Sequence, residues 1–204
     1  KYDCIIVGAG IIGLTTAYEF QNAFPEKKIL ILEKESDIFC HQSGRNSGVI
    51  HSGIYYKPGT FKAKNCLKGY KLLIDFANQH KIPYEITGKL IVAYNENQIE
   101  SLYKLYEYGQ SNGLNNIKLL NSKDALKIEP YCKSVLKALY VPQAGIINYN
   151  TVGYKLLKII KENGAEIVFN NSVKKIENYN DKKIVISNQG NFISRNVVLC
   201  AGVY

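Results

Sequence analysis

The stretch YDCIIVGAGIIGLTTAYEFQNAFPEKKILILE, residues 2–33, decides the fold. Its first six residues form an apolar run that is typical of a buried parallel strand. Gly8 ends that run, and from there to Gly13 the sequence matches the G-x-G-x-x-G pattern, with a helical pattern through about Phe20. A second apolar run over residues 28–32 predicts a second strand. This order of strand, glycine turn, helix and strand predicts a Rossmann-like β-α-β unit in an α/β protein.

Three glycines and one acidic residue in this unit predict a dinucleotide site. Gly8 permits the tight turn, Gly10 lets the backbone approach a pyrophosphate, and Gly13 lets the helix pack close to the strand. The helix N-terminus favours phosphate because its first N–H groups have no partner within the helix. Glu33 follows Gly13 by 20 residues, at the end of the second strand, where it can accept hydrogen bonds from a ribose hydroxyl. Sites for NAD and for FAD share this pattern, so it does not separate them.

The loop that follows favours a long, flat cofactor. Residues 41–53, HQSGRNSGVIHSG, stand where a simple NAD domain would begin another strand and helix. Ser43, Asn46 and Ser47 offer hydroxyl and amide groups, and three glycines leave space for a ligand to approach the backbone. These glycines are Gly44, Gly48 and Gly53.

Composition excludes several other classes of protein. The chain has 204 residues, 46% of them hydrophobic and 21% charged, as in a folded globular protein. Its longest apolar stretch, residues 4–18, is too short and too rich in glycine to span a membrane, so we expect no transmembrane segment. The net charge is +9, but only Arg45 and Arg195 could make the forked contacts that read bases, so we expect no nucleic-acid partner.

Five cysteines at irregular separations include no C-x-x-C pair. An odd number of widely spaced cysteines is typical of free thiols in a reducing compartment, and the spacing predicts no metal site. We therefore expect a cytoplasmic protein. Peripheral attachment to a membrane through its electron acceptor stays open.

Periodicity predicts the remaining elements. Helices are expected over residues 61–80, 97–111 and 149–163, with a short one after Ser122. Strands are expected over residues 89–94, 135–141, 166–169, 173–179, 183–187 and 191–200.

The glycine motif with Glu33-Lys34, together with residues 41–59, HQSGRNSGVIHSGIYYKPG, resembles the FAD-dependent oxidoreductases of the D-amino-acid oxidase superfamily. Within it, the chain is most similar to the L-2-hydroxyglutarate oxidases and dehydrogenases. The further segments 62–66, 88–93, 142–147 and 197–202 fall in the family's order. The likeness covers essentially the whole chain, and residues 41–59 are its most specific part.

The resemblance implies a fold and an activity. The fold would be a Rossmann-like FAD-binding domain with a β-meander, formed by residues 1–81 and 147–204, and part of an inserted α+β substrate domain, formed by residues 82–146. The activity would be oxidation of L-2-hydroxyglutarate, or a similar small 2-hydroxy acid, to the 2-oxo acid, with hydride passing to flavin N5. Oxygen, a quinone and other carriers stay open as electron acceptors.

The resemblance also implies roles for particular residues. His51 would take the substrate hydroxyl proton; a loop histidine that bonds only backbone or flavin is the competing interpretation. Tyr55 and Tyr56 would bind the substrate carboxylate, and Arg45, inside the loop of residues 41–53, would contact either a phosphate or the substrate carboxylate. The cofactor would be held by Gly8, Gly10, Ile11, Ile12, Gly13, Glu33, Lys34, His41, Ser43, Gly44, Asn46, Ser47, Gly48, Val173, Ala201 and Gly202, with the backbone of Val173 against the adenine.

Three interpretations of the whole chain follow. The chain has no Met, and family members continue well beyond the point that matches Tyr204, so we expect the N-terminal fragment of an enzyme. The alternative is a non-catalytic remnant, or one half of a split FAD oxidoreductase that needs a partner chain with the missing C-terminal segment. An NAD-dependent Rossmann dehydrogenase is the third interpretation, and it is weaker because the loop of residues 41–53 has no role there.

Overall fold

The computed structural model of the protein describes residues 1–203, which form two compact units. The first unit comprises residues 1–47 and the chain from Tyr149 onward, and the second comprises residues 48–148. In chain order the elements are β1 Tyr2–Val7, α1 Ile11–Ala23, β2 Ile29–Leu32, β3 Val49–Ile50, α2 Phe61–Gln79, β4 Tyr84–Glu85, β5 Lys89–Ala93, α3 Glu96–Ser111, β6 Lys118–Asn121, α4 Ser122–Ile128, β7 Lys137–Val141, β8 Gly145–Ile147, α5 Tyr149–Glu162, β9 Glu166–Val168, β10 Val173–Tyr179, β11 Lys182–Ser187 and β12 Gly190–Leu199.

The first unit is built on a six-stranded sheet with the order β10-β11-β12-β1-β2-β9. Strands β12, β1, β2 and β9 are parallel, whereas β10, β11 and β12 form an antiparallel meander. The two types of pairing meet in β12, because its second half runs beside β1. Strands β1 and β2 are almost wholly apolar and buried, as expected for central parallel strands.

Helices α1 and α5 of the first unit are joined by a buried side chain. The amide nitrogen of Gln21 in α1 donates to the carbonyl oxygens of Ile160 and Asn163, at 3.0 and 3.1 Å. Ile160 is completely buried, and Gln21 is only 5% exposed. This contact holds the C-terminal parts of the two helices together.

The second unit contains two three-stranded antiparallel sheets, with the orders β3-β8-β4 and β5-β7-β6. Its main core includes Ile54, Leu102 and Leu139, and Leu67 of α2 packs against this core. Residues 48–81 therefore lie in the second unit, whereas the predicted domain boundary grouped them with the first. Leu67 of α2 explains part of this difference, because most of the core against which it packs lies in the segment that the sequence assigned to the substrate domain.

The elements predicted from periodicity all form, with ends that differ from the structure by at most three residues. Strands β3, β4, β6 and β8 were not predicted. They have two to four residues each, too few for an alternating pattern to be recognised. Within residues 1–203, no helix is long and apolar enough to cross a membrane. The five cysteines are free thiols.

Candidate functional site

The glycine turn between β1 and α1 is packed so closely that two of its positions have no room for a side chain. Gly8 has φ +105°, and a Cβ there would lie 2.4 Å from the carbonyl oxygen of Cys200, just after β12. A Cβ on Gly13 would lie 1.9 Å from the carbonyl oxygen of Gly8. The turn therefore brings the start of α1 against the ends of β1 and β12.

The N-terminus of α1 is open to a ligand. Gly10 precedes the helix and provides no side-chain cap, and Ile12 in the first turn is 64% exposed. The Oγ of Ser43 accepts a hydrogen bond from the Ile11 N–H at 2.9 Å. Since the other N–H groups of the first turn have no intrahelical acceptor, this end of the helix can bind an anion such as a phosphate.

Glu33 lies at the end of β2, as predicted, and is only 7% exposed. Its carboxylate accepts hydrogen bonds from the N–H of Ala9 at 2.6 Å and of Glu35 at 2.9 Å. These bonds fix the carboxylate beside the glycine turn. Each oxygen keeps a further lone pair, so the group can still accept from a hydroxyl donor.

Residues 39–47 form a compact turn in the first unit. Phe39 has φ +61°, and a Cβ on Gly44 would lie 2.1 Å from its carbonyl oxygen. His41 is held by Glu35, with its Nε2 2.8 Å from the carboxylate. The Asn46 amide donates to the carbonyl oxygen of Ser43 at 2.7 Å.

Other residues expected at the cofactor also belong to the first unit. Arg45 and Ser47 are exposed, Lys34 lies 4.0 Å from the Glu35 carboxylate, and Val173 is the first residue of β10. The exposed residues Ala201 and Gly202 follow β12.

The sequence does not mark Asn171 as a candidate site residue. It is 1% exposed, and within residues 1–203 its side-chain oxygen and nitrogen have no hydrogen-bond partner. Its backbone N–H donates to the carbonyl oxygen of Glu33 at 2.8 Å, which places it beside the end of β2. Asparagine is common in loops, so the sequence carried no signal for this burial.

A small recess in the second unit brings together His51, Tyr55 and Tyr56. It is lined by Val49, His51, Ser52, Gly53, Ile54, Tyr55, Tyr56, Lys89 and Ala144. His51 follows β3 directly, and its side chain is exposed. Gly48, which opens this unit, has φ +69° and accepts a backbone hydrogen bond from Ile147 at 2.8 Å.

A neutral thiol supports the backbone of His51. Cys66 in α2 donates to the His51 carbonyl oxygen, with its Sγ 3.5 Å away. Burial raises the pKa of the Cys66 thiol, so the donor proton is kept at neutral pH. The β3-β8 pairing and this contact together fix the segment that carries the histidine.

Ser52 and Lys89 also line the recess and were not singled out from the sequence. Lys89 lies 38 positions after His51 in the chain, and only the folding of the second unit brings the two to one recess. Ser52 follows His51 directly, but nothing in its sequence context marks its hydroxyl as buried.

Comparison with known families matches residues 3–204 to the family described as FAD dependent oxidoreductase. Two curated relatives are both named L-2-hydroxyglutarate dehydrogenase. That of Indibacter alkaliphilus is 40% identical over the whole chain and 51% of its own length. The mitochondrial protein of Dictyostelium discoideum is 47% identical over 91% of this chain and 43% of its own length. The chain thus spans about half the length of the relatives it matches.

Solved structures share the fold. L-alpha-glycerophosphate oxidase from Mycoplasma pneumoniae, solved with FAD bound, matches 96% of this chain and 53% of its own with a TM-score of 0.88 at 30% identity. Glycine oxidase from Geobacillus kaustophilus matches 98% of this chain and 55% of its own with a TM-score of 0.90 at 21% identity. The predicted α/β fold class is thereby confirmed.

Proposed function

The chain belongs to the family of FAD dependent oxidoreductases, and from this premise we propose that its protein oxidises L-2-hydroxyglutarate, or a 2-hydroxy acid of similar size, to the 2-oxo acid. The observation that carries the proposal is the likeness to relatives named L-2-hydroxyglutarate dehydrogenase, at 40% and 47% identity. The chain covers about half of each, so the activity is proposed for the complete protein that contains it.

The geometry of the first unit fits FAD. At Gly10 a Cβ would lie 3.1 Å from the Ser43 hydroxyl, so the absence of a side chain keeps the backbone open beside the N-terminus of α1. The buried Glu33 carboxylate beside this turn suits a ribose hydroxyl, and the unpartnered Asn171 amide lies near the same end of β2. We propose that Gly8, Gly10 and Gly13 cradle the pyrophosphate and that Glu33 binds the ribose. When bound, FAD supplies the acceptor, at N5, for the hydride that leaves C2 of the substrate.

His51 is the proposed base for the substrate hydroxyl. A neutral imidazole can accept the hydroxyl proton as the C2–H bond breaks, and an exposed ring on a fixed backbone can do so without reorganising the fold. Tyr55 and Tyr56 are proposed to bind the substrate carboxylate through their phenol donors. The Arg45 guanidinium, in the first unit, is proposed to bind a phosphate of the cofactor or a substrate carboxylate.

The test is His51→Ala in the complete protein. We expect flavin content to stay at the wild-type level and the rate of flavin reduction by L-2-hydroxyglutarate to fall about 100- to 10,000-fold, the range typical of lost acid–base catalysis. His80→Gln is the matched control, because His80 follows α2 and does not line the recess. If a His51→Ala protein with full flavin occupancy reduced its flavin at a near-normal rate, His51 would not be the base.

A further inference from the structure

We propose that Lys89, together with Ser52, binds a carboxylate of the substrate and thereby sets the preference for a dicarboxylic acid. The inference rests on the proposed function, because it places a substrate group in the recess that contains His51. It adds two residues to which the family resemblance gives no role.

The first observation is the ammonium group of Lys89. Its Nζ lies 4.7 Å from the centroid of the Tyr55 ring, which also lines the recess. A cation over an aromatic face is held in place while its N–H donors stay available. Within residues 1–203, none of the ion pairs includes Lys89. The positive charge therefore has a fixed position, and no carboxylate of the described residues pairs with it.

The second observation is the hydroxyl of Ser52. Ser52 is 4% exposed and lines the same recess, and its Oγ has no hydrogen-bond partner within residues 1–203. Buried hydroxyl groups in folded proteins are nearly always paired. A ligand oxygen entering the recess would give this hydroxyl its partner.

The backbone around Lys89 explains its fixed position. Gly88 has φ +76°, and its N–H donates to the carbonyl oxygen of Ala144 at 2.9 Å. A Cβ on Gly88 would lie 2.7 Å from the Tyr140 ring, so the ring packs directly on the glycine. This turn accepts only glycine, and its hydrogen bond to Ala144 connects the start of β5 to another residue that lines the recess. Lys89, the first residue of β5, is therefore held at the recess.

These groups together suit a carboxylate. An ammonium and a hydroxyl are both donors, and a carboxylate accepts up to four hydrogen bonds through its two oxygens. The recess is small, so it would take the end of a substrate rather than the whole molecule. L-2-hydroxyglutarate has a carboxylate at each end, and a terminal carboxylate in this recess would select it over an acid with an uncharged end.

The test compares Lys89→Met, Lys89→Arg and Lys137→Met in the complete, FAD-loaded protein. Lys137 is the matched control, because its Nζ also lies 4.7 Å from a tyrosine ring, that of Tyr103, in the same unit but outside the recess. We expect Lys89→Met to raise KM for L-2-hydroxyglutarate about 10- to 100-fold while kcat changes little, as for a lost charged hydrogen bond. Lys89→Arg should recover much of the loss, and Lys137→Met should behave like wild type.

Binding of unreactive analogues identifies the carboxylate. Glutarate has two carboxylates and butyrate has one. The binding of each to the protein can be followed through the change that it causes in the flavin absorbance. Weaker binding of glutarate alone in Lys89→Met supports a contact with the remote carboxylate. Weaker binding of both would place Lys89 at the carboxylate that they share and would overturn its role in the preference for a dicarboxylic acid. An unchanged KM and unchanged binding in Lys89→Met, with an active wild type, would overturn this inference alone. A flavin-loaded wild type that neither binds glutarate nor oxidises the hydroxy acid would overturn the proposed function.

Discussion

Gly13 and Gly10 lie three positions apart and have different structural roles. A Cβ on Gly13 would collide with a backbone oxygen, whereas a Cβ on Gly10 would lie 3.1 Å from the Ser43 hydroxyl, a contact that a small shift of that side chain relieves. Gly13 is therefore required by packing within the first unit, and we propose that Gly10 is required by the space that it leaves for FAD.

This difference predicts opposite outcomes for two alanine variants. Gly13→Ala should lower the free energy of unfolding by about 1–3 kcal/mol, because α1 must move away from β1. Gly10→Ala should leave stability close to wild type but weaken FAD binding. Urea unfolding and flavin content measure the two effects, and equal stability of the two variants would contradict the packing argument.

The buried Glu33 carboxylate should contribute both to FAD binding and to stability. Its carboxylate accepts two backbone hydrogen bonds in a buried position, so Glu33→Gln should reduce FAD affinity and lower the free energy of unfolding by about 1–3 kcal/mol. Glu26→Gln is the control, since Glu26 is exposed and its carboxylate lies 3.7 Å from the Lys27 ammonium in a surface ion pair. If Glu33→Gln bound FAD as tightly as wild type, the proposed ribose contact would be wrong.

The phenol of Tyr2 should make the free energy of unfolding depend on pH in the alkaline range. Burial, and the hydrogen bond that its hydroxyl donates to Glu166 at 2.6 Å, raise its pKa from 10.0 to about 12. The neutral phenol is thus favoured in the folded state, so its contribution is fully present below pH 10 and is lost as the pH rises towards 12. The free energy of unfolding should fall over this range, and less steeply in Tyr2→Phe. Identical pH profiles of the two proteins would rule out the effect.

The helices and strands differ in how well the sequence predicts them. Strand β1 is a continuous apolar run, and α2 shows helical periodicity over 19 residues, so both are recognisable locally. Strands β3 and β8 have two and three residues, and their pairing depends on contacts between segments about 100 positions apart. Such pairs form because the tertiary fold brings them together, and a local pattern cannot predict them.

The residues of the candidate site also differ in how well the sequence predicts their positions. Gly8, Gly10, Gly13 and Glu33 lie in one β-α-β unit with fixed spacing, so their arrangement is predictable from the sequence. Lys89 reaches the recess of His51 only through the turn at Gly88 and the packing of the second unit. The position of Lys89 in the recess is therefore visible in the structure and is not predictable from the sequence.

Helix α2 contains a glycine that its packing does not require. Gly69 is exposed, and nothing lies within 4 Å of the position that a Cβ would occupy. Gly69→Ala should therefore raise the free energy of unfolding by about 1 kcal/mol, because alanine loses less backbone entropy in a helix. Thermal unfolding checks this, and a lower melting temperature in the variant would indicate a role for Gly69 that the packing does not reveal.

At the level of the entire chain, the predicted domains and the compact units divide the sequence differently. The cofactor motif predicted one domain up to residue 81, whereas the contacts place residues 48–81 in the second unit. The most specific segment of the sequence, residues 41–59, crosses the boundary between the two units. A motif that is continuous in sequence can thus contribute residues to two units of the structure, as it does with Ser43 and His51.

We propose that the complete protein uses FAD to oxidise L-2-hydroxyglutarate. The most direct test is to purify the complete protein, record its flavin spectrum, and add L-2-hydroxyglutarate without oxygen. We predict tightly bound FAD and loss of its visible absorbance on addition of this acid, with much slower loss for a 2-hydroxy acid that has one carboxylate. Bound FAD that stays oxidised, or retention of a nicotinamide cofactor and no flavin, would contradict the claim.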